Sequence, residues 1–125
     1  MRRVLVACAA FAALASAAVP AVAALLDLNC PMIVGKRDAL HPQNYLYFVA
    51  VDEDARRASD ASGAYALWRN LVAPGYVWYS DFARPNAAWE TEYVFDDKTL
   101  QLSARDSSDD PNQNGFSTGN CLLSP

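Results

Sequence analysis

Hydrophobic positions fall into two regimes along this chain. From Val4 to Val19 they make a nearly unbroken, alanine-rich run, whereas from Tyr45 onward they recur in short segments separated by turn residues. Such segments predict strands. Tyr45-Leu46-Tyr47-Phe48-Val49-Ala50-Val51 is the densest of them, and because it is apolar on both faces it is predicted to lie centrally in a sheet. Gly75 opens a second at Tyr76-Val77-Trp78-Tyr79-Ser80, and Arg84-Pro85-Asn86 predicts the turn beyond it. Next, Trp89, Thr91, Tyr93 and Phe95 alternate with Glu90 and Glu92, the pattern of a strand with one buried and one wet face. Asp96-Asp97-Lys98 then turns the chain into Thr99–Ser103, with Leu100 and Leu102 sharing a side, which completes a hairpin.

The remaining segments are less regular. Residues 24–44 read mostly as loop, with Met32-Ile33-Val34 as a short strand, and the charged residues 53–63 suit a hairpin or a helical turn. Residues 64–72 carry two patterns. Tyr65, Trp68, Leu71 and Val72 fit one helix face, with Ser62 as cap and Pro74-Gly75 as stop, while Tyr65-Leu67-Arg69-Leu71 fits a strand interrupted by Arg69. The β-rich surroundings favour the strand, with a short helix as its rival. Residues 105–120 form a polar stretch. The expected fold is therefore mainly β, an antiparallel meander of about five or six strands curled into a small sandwich or partial barrel.

The apolar opening changes what the composition means. Arg2 and Arg3, the apolar core and Ala21-Val22-Ala23 follow the order of a signal peptide, so residues 1–23 are expected to be cleaved and no transmembrane anchor to remain. Pro20 and the short run argue against a span of ~20 residues. Lipidation is disfavoured, because Cys8 has almost no hydrophobic core ahead of it, and Arg2-Arg3 leaves both general and twin-arginine export open. A periplasmic or secreted location follows. The first 23 positions hold 19 apolar residues, so residues 24–125, expected to form one disulfide-tied domain, carry 47 in 102, an ordinary globular share. Charge moves the other way: the whole chain is −4, but without the two arginines 8 basic side chains face 14 acidic ones and the net is −6. Acidity and the lack of a basic stripe disfavour nucleic acid, and point instead to a cationic protein or peptide of the cell envelope.

Chemistry is sparse. Cys30 and Cys121, which remain once Cys8 has left, are expected to pair, and closing that loop restricts the unfolded chain by ~4.5 kcal/mol on the loop-entropy argument. His41, the sole histidine, sits in His-Pro-Gln-Asn and reads as a solvated turn residue, so no nucleophile triad is indicated. Glu90 and Glu92 share a strand face about 7 Å apart, a spacing that could serve acid–base glycan cleavage, with Asp81 as a further candidate. Solvation of a wet strand face explains the same pair more simply. With Tyr79 they form the candidate binding surface instead, and no catalytic set is assigned. Thirteen aromatics among the 102 residues could be core or binding face.

One loop carries a metal signature. Asp110-Pro111-Asn112-Gln113-Asn114-Gly115 reproduces the Asp-x-Asn-x-Asn-Gly opening of a calcium loop, in which oxygens of Asp110, Asn112 and Asn114 converge and Phe116 offers its carbonyl. The motif departs from an EF-hand at the end, where Cys121 stands in place of the bidentate glutamate, and Pro111 occupies the second position. Calcium is thus the one cofactor the sequence suggests.

The order Tyr45–Asp52, Gly75–Ser80, Tyr93–Leu102 and the terminal Gly119-Asn120-Cys121 resembles a loose set of small, uncharacterised exported bacterial proteins, without a named family. The likeness spans most of residues 24–125 and implies no activity. A weaker similarity is to the periplasmic inhibitors of C-type lysozyme, which are disulfide-tied β-barrels of this size, but no inhibitory loop can be placed on these residues. The expectation is a non-enzymatic, exported binding or envelope-interaction module with an acidic surface. Its alternatives are a lysozyme-inhibitor-like protein and a weak calcium-binding domain, with a small glycan hydrolase last.

Overall fold

A computed structural model describes residues 25–84 and 87–124, so the expected export segment 1–23 and the expected turn at Pro85-Asn86 lie outside the described residues. The strands are β1 (Leu25–Lys36), β2 (Tyr45–Asp52), β3 (Arg57–Asp60), β4 (Gly63–Ala66), β5 (Trp68–Arg69), β6 (Tyr76–Arg84), β7 (Ala87–Asp96), β8 (Gln101–Ser108), β9 (Gly115–Asn120) and β10 (Leu122–Leu123). They pair antiparallel in one ten-stranded sheet, ordered β4-β3-β2-β1-β9-β8-β7-β6-β5, with β10 on β1. β4 and β5 stand at opposite ends of that order, yet only the buried Leu67 separates them along the chain. The two edges therefore meet, and the sheet curls into a nearly closed barrel.

The antiparallel meander is present, with ten strands among the described residues rather than five or six. Most of the difference lies in segments that polar residues disguise. β1 occupies what reads as loop, and its inward set Leu26, Leu28, Cys30, Met32 and Val34 alternates with Asp27, Asn29, Pro31 and Ile33. Pro31 falls at the break between the ladders to β10 (through Asn29) and to β9 (from Met32), where a missing N–H is tolerated. Residues 53–56 turn β2 into β3, and residues 57–66 make the β3–β4 hairpin. Over 64–72 the strand pattern prevails, as the end of β4 and the short β5, and no helix forms there. In the polar stretch, β8 runs on to Ser108 and β9 presents Gly115, Ser117 and Gly119 inward. Small residues are needed on β9. A Cβ at Gly119 would come within 2.5 Å of the Pro31 carbonyl oxygen.

Cys30 and Cys121 form a disulfide, with Cα atoms 4.1 Å apart, both facing the core. It links β1 to the residue between β9 and β10, so it fastens the first strand to its last partner in the barrel wall. The core centres on Trp78, Phe95, Leu102, Val51, Leu28 and Met32. Three aromatics stack through it: Tyr47 on Tyr93 (4.8 Å) and Tyr93 on Trp78 (5.3 Å). β2 is central in the sheet, as its composition suggests. Its outer residues Leu46 and Phe48 are nevertheless exposed, because no described residue forms a second layer over that face.

Candidate functional site

Strand register assembles the acidic face. Tyr79 of β6 lies opposite Glu92 of β7, and Asp81 lies opposite Glu90, so the alternation that carries Trp89, Thr91, Tyr93 and Phe95 inward carries these four outward. On the other side of β7, Glu90 faces Ser107 and Glu92 faces Arg105 of β8. Asp81, Glu90 and the loop residue Asp109 line a surface cleft of about 360 Å³, together with Ser107, Ser108 and the flank of Trp89. Among the described residues no lysine or arginine lines it, and none of its three carboxylates enters an ion pair. Desolvation and the neighbouring Glu92 and Glu90 carboxylates raise the Tyr79 phenol above its ordinary range. The structure thus brings Glu90, Glu92 and Tyr79 together and adds Asp81 and Asp109. A general acid for glycan cleavage needs a sheltered carboxyl, and Glu90 and Asp81 are open to solvent.

The Asp110–Phe116 segment is a turn followed by a strand. Asp110 caps a 3-10 turn at Pro111–Gln113, its carboxylate accepting the Asn112 N–H at 3.0 Å. The Asn114 side-chain oxygen accepts the Ser108 N–H at 2.9 Å, and Phe116 already belongs to β9. Asp109 stays near this loop at the surface. Asp106 is turned into the barrel and is 2% exposed.

That inward aspartate anchors a second polar site. His41, in the β1–β2 loop, is half-buried rather than solvated: its Nδ1 donates to Asp106 Oδ2 at 2.7 Å, and its ring stacks on Tyr45 at 4.0 Å. Thr91 Oγ1 donates to the other Asp106 oxygen at 2.7 Å, and Tyr45 and Ser117 share a hydrogen bond of 2.7 Å beside it. Asp38, from the same loop as His41, accepts the His41 N–H through Oδ1 at 2.7 Å, while its buried Oδ2 accepts from no donor. Gly115 makes the room. It faces Asp106 in the β8–β9 register, and a side chain on it would collide with the Asp38 carboxylate.

The two acids differ in their ionisation. Burial, with the adjacent Asp106 carboxylate, pushes Asp38 up to about 6. Burial also opposes ionisation of Asp106, but hydrogen bonds with His41, the Asp38 carboxyl and Thr91 outweigh it and hold Asp106 below its ordinary value. Reading His41 as a turn residue overlooks this cluster. Its signal lies on β8, where Leu102-Ala104-Asp106 places an aspartate on the buried register of a strand.

Among the described residues no helix is long and apolar enough to cross a membrane. Compared with protein-family models, curated proteins and solved structures, the chain matches none.

Proposed function

We propose that this chain is an exported, periplasmic or secreted, non-enzymatic binding module that takes a cationic protein or peptide of the envelope on the outer face of β6, β7 and β8. The observation that supports this reading is the cleft lined by Asp81, Glu90 and Asp109 with no compensating cation among the described residues. A lysine or arginine side chain entering it would meet three carboxylates, with its stem along the Trp89 flank and with Glu92 and Tyr79 beside the rim. The net charge of the chain draws such a partner in at long range.

The test is fluorescence anisotropy of a labelled lysine-rich peptide with the protein lacking residues 1–23. Affinity is expected to fall at least ~10-fold in the Asp81→Asn, Glu90→Gln, Asp109→Asn triple variant, and to weaken as ionic strength rises from ~0.05 to ~0.3 M. Equal affinity for both proteins, or indifference to salt, would overturn the reading. The nearly closed, disulfide-tied barrel also favours the lysozyme-inhibitor-like alternative, in which the same variant should lose inhibition of a C-type lysozyme.

A further inference from the structure

Inside the barrel, away from the acidic face, the loop 37–44 and strands β7, β8 and β9 converge on a cluster that hydrogen bonding alone leaves incomplete. We propose that Asp38, His41 and Asp106 form a binding site for a divalent transition metal of the zinc class. One ligand atom from each residue lies within 4.8 Å of the other two. Asp38 is 8% exposed, its carboxyl faces Asp106, and its Oδ2 accepts no hydrogen bond. A buried carboxylate oxygen so placed is a standing cost that a cation removes.

Charge leads to the same assignment. With a neutral imidazole, two ionised aspartates bury two negative charges in one pocket, and a divalent ion cancels both. Mixed imidazole and carboxylate donors suit zinc, whereas calcium collects about six to eight oxygens. Geometry requires only a small opening. Ligands held at about 2.0 Å around tetrahedral zinc sit about 3.3 Å apart, and His41 Nδ1 and Asp106 Oδ2 are now 2.7 Å apart. On binding, the Nδ1 proton passes to solvent and Nε2 takes one up, so the imidazole stays neutral with its Nδ1 lone pair on the metal.

The surroundings are built for fixed ligands. Thr91 orients the Asp106 carboxylate from behind, as outer groups of metal sites do, and Tyr45 holds the imidazole plane by stacking. His41 is 22% exposed, which gives an ion a way in and leaves the fourth position to water.

The test uses the untagged chain without residues 1–23, purified in chelator and then titrated with zinc by calorimetry. His41 is the sole histidine, so its ring signals are identified in the NMR spectrum without assignment. One zinc per chain is expected, with a raised melting temperature and displaced His41 ring nitrogens, and with cobalt giving the strong visible bands of a four-coordinate ion. Asp38→Asn and His41→Gln should each weaken zinc at least ~100-fold, while Asp110→Asn, in the calcium-like loop, should leave it unchanged. Unmoved His41 signals in the unsubstituted protein would overturn the proposal, whatever the variants do. So would zinc bound as tightly by His41→Gln, or calcium moving the ring as zinc does. Any of these leaves the cluster a hydrogen-bonded anchor for the loop.

Discussion

Replacing Asp106 with alanine should be among the most destabilising single changes in this barrel. Both carboxylate oxygens are committed, one to His41 Nδ1 and one to Thr91 Oγ1, each at 2.7 Å, and the side chain is 2% exposed. A hydrogen bond to a charged group contributes ~1.5–3 kcal/mol, so two of them amount to ~3–6 kcal/mol. Relief from burying the charge lowers that sum, while stranding the Thr91 hydroxyl and the inward-facing imidazole raises it, which leaves an expected loss of ~3–5 kcal/mol. Against a total of ~5–15 kcal/mol for a folded domain, that is a large fraction. Urea unfolding of the oxidised protein in chelator, followed by tryptophan fluorescence, should show a lower midpoint at unchanged slope. His41→Gln combined with Asp106→Ala should cost less than the two separately, by ~1–3 kcal/mol. A loss below ~1 kcal/mol, or strictly additive effects, would refute the coupling.

Removing the disulfide with alanine at Cys30 and Cys121 should cost ~3–5 kcal/mol, since the loop it closes spans a separation of 91 residues, and the same urea midpoints measure it. Gly115→Ala should lose ~1–3 kcal/mol and disturb His41, because the added methyl group meets the Asp38 carboxylate and comes within 3.0 Å of the Lys36 carbonyl oxygen; the His41 ring signals report the displacement. Alkali should destabilise the fold before the core tyrosines ionise. Burial raises Tyr45 to about 12 and raises Tyr47 and Tyr93 as well, so above pH ~10 the unfolded chain sheds phenol protons that the folded chain retains. Melting temperatures should therefore fall as pH rises through that window, with tyrosinate absorbance for these three appearing only on unfolding.

Where side-chain chemistry and strand period agree, the sequence is a good guide. Trp89-Glu90-Thr91-Glu92-Tyr93 names both its buried and its wet face, and the acidic surface follows from it directly. Tyr79 and Asp81 join that surface through cross-strand register, which a single strand does not display. β1 shows the opposite case: Leu26, Leu28, Cys30, Met32 and Val34 keep a period of two, but Pro31 and Gly35 obscure it as turn residues would. β9 is harder still. Its inward residues are glycine and serine, chosen for close approach to Pro31, Met32 and Asp38, and apolar patterning has no hold on them. The Asp38–His41–Asp106 cluster draws on a loop and a strand 65 residues apart, and only the closing of the barrel brings them together. What the chain does display locally is Asp106 on a buried register. A charged residue in that position calls for a partner, and here the partner is the one histidine.

The acidic face is the centre of this account, and mapping backbone amide shifts while a lysine-rich peptide is added tests it most directly. Shifts gathered on Tyr79–Asp81, Glu90–Glu92 and Ser107–Asp109, fading as salt is raised, are the expected result. Shifts centred instead on the exposed Leu46 and Phe48 of β2, or no shifts at peptide concentrations up to ~1 mM, would contradict it.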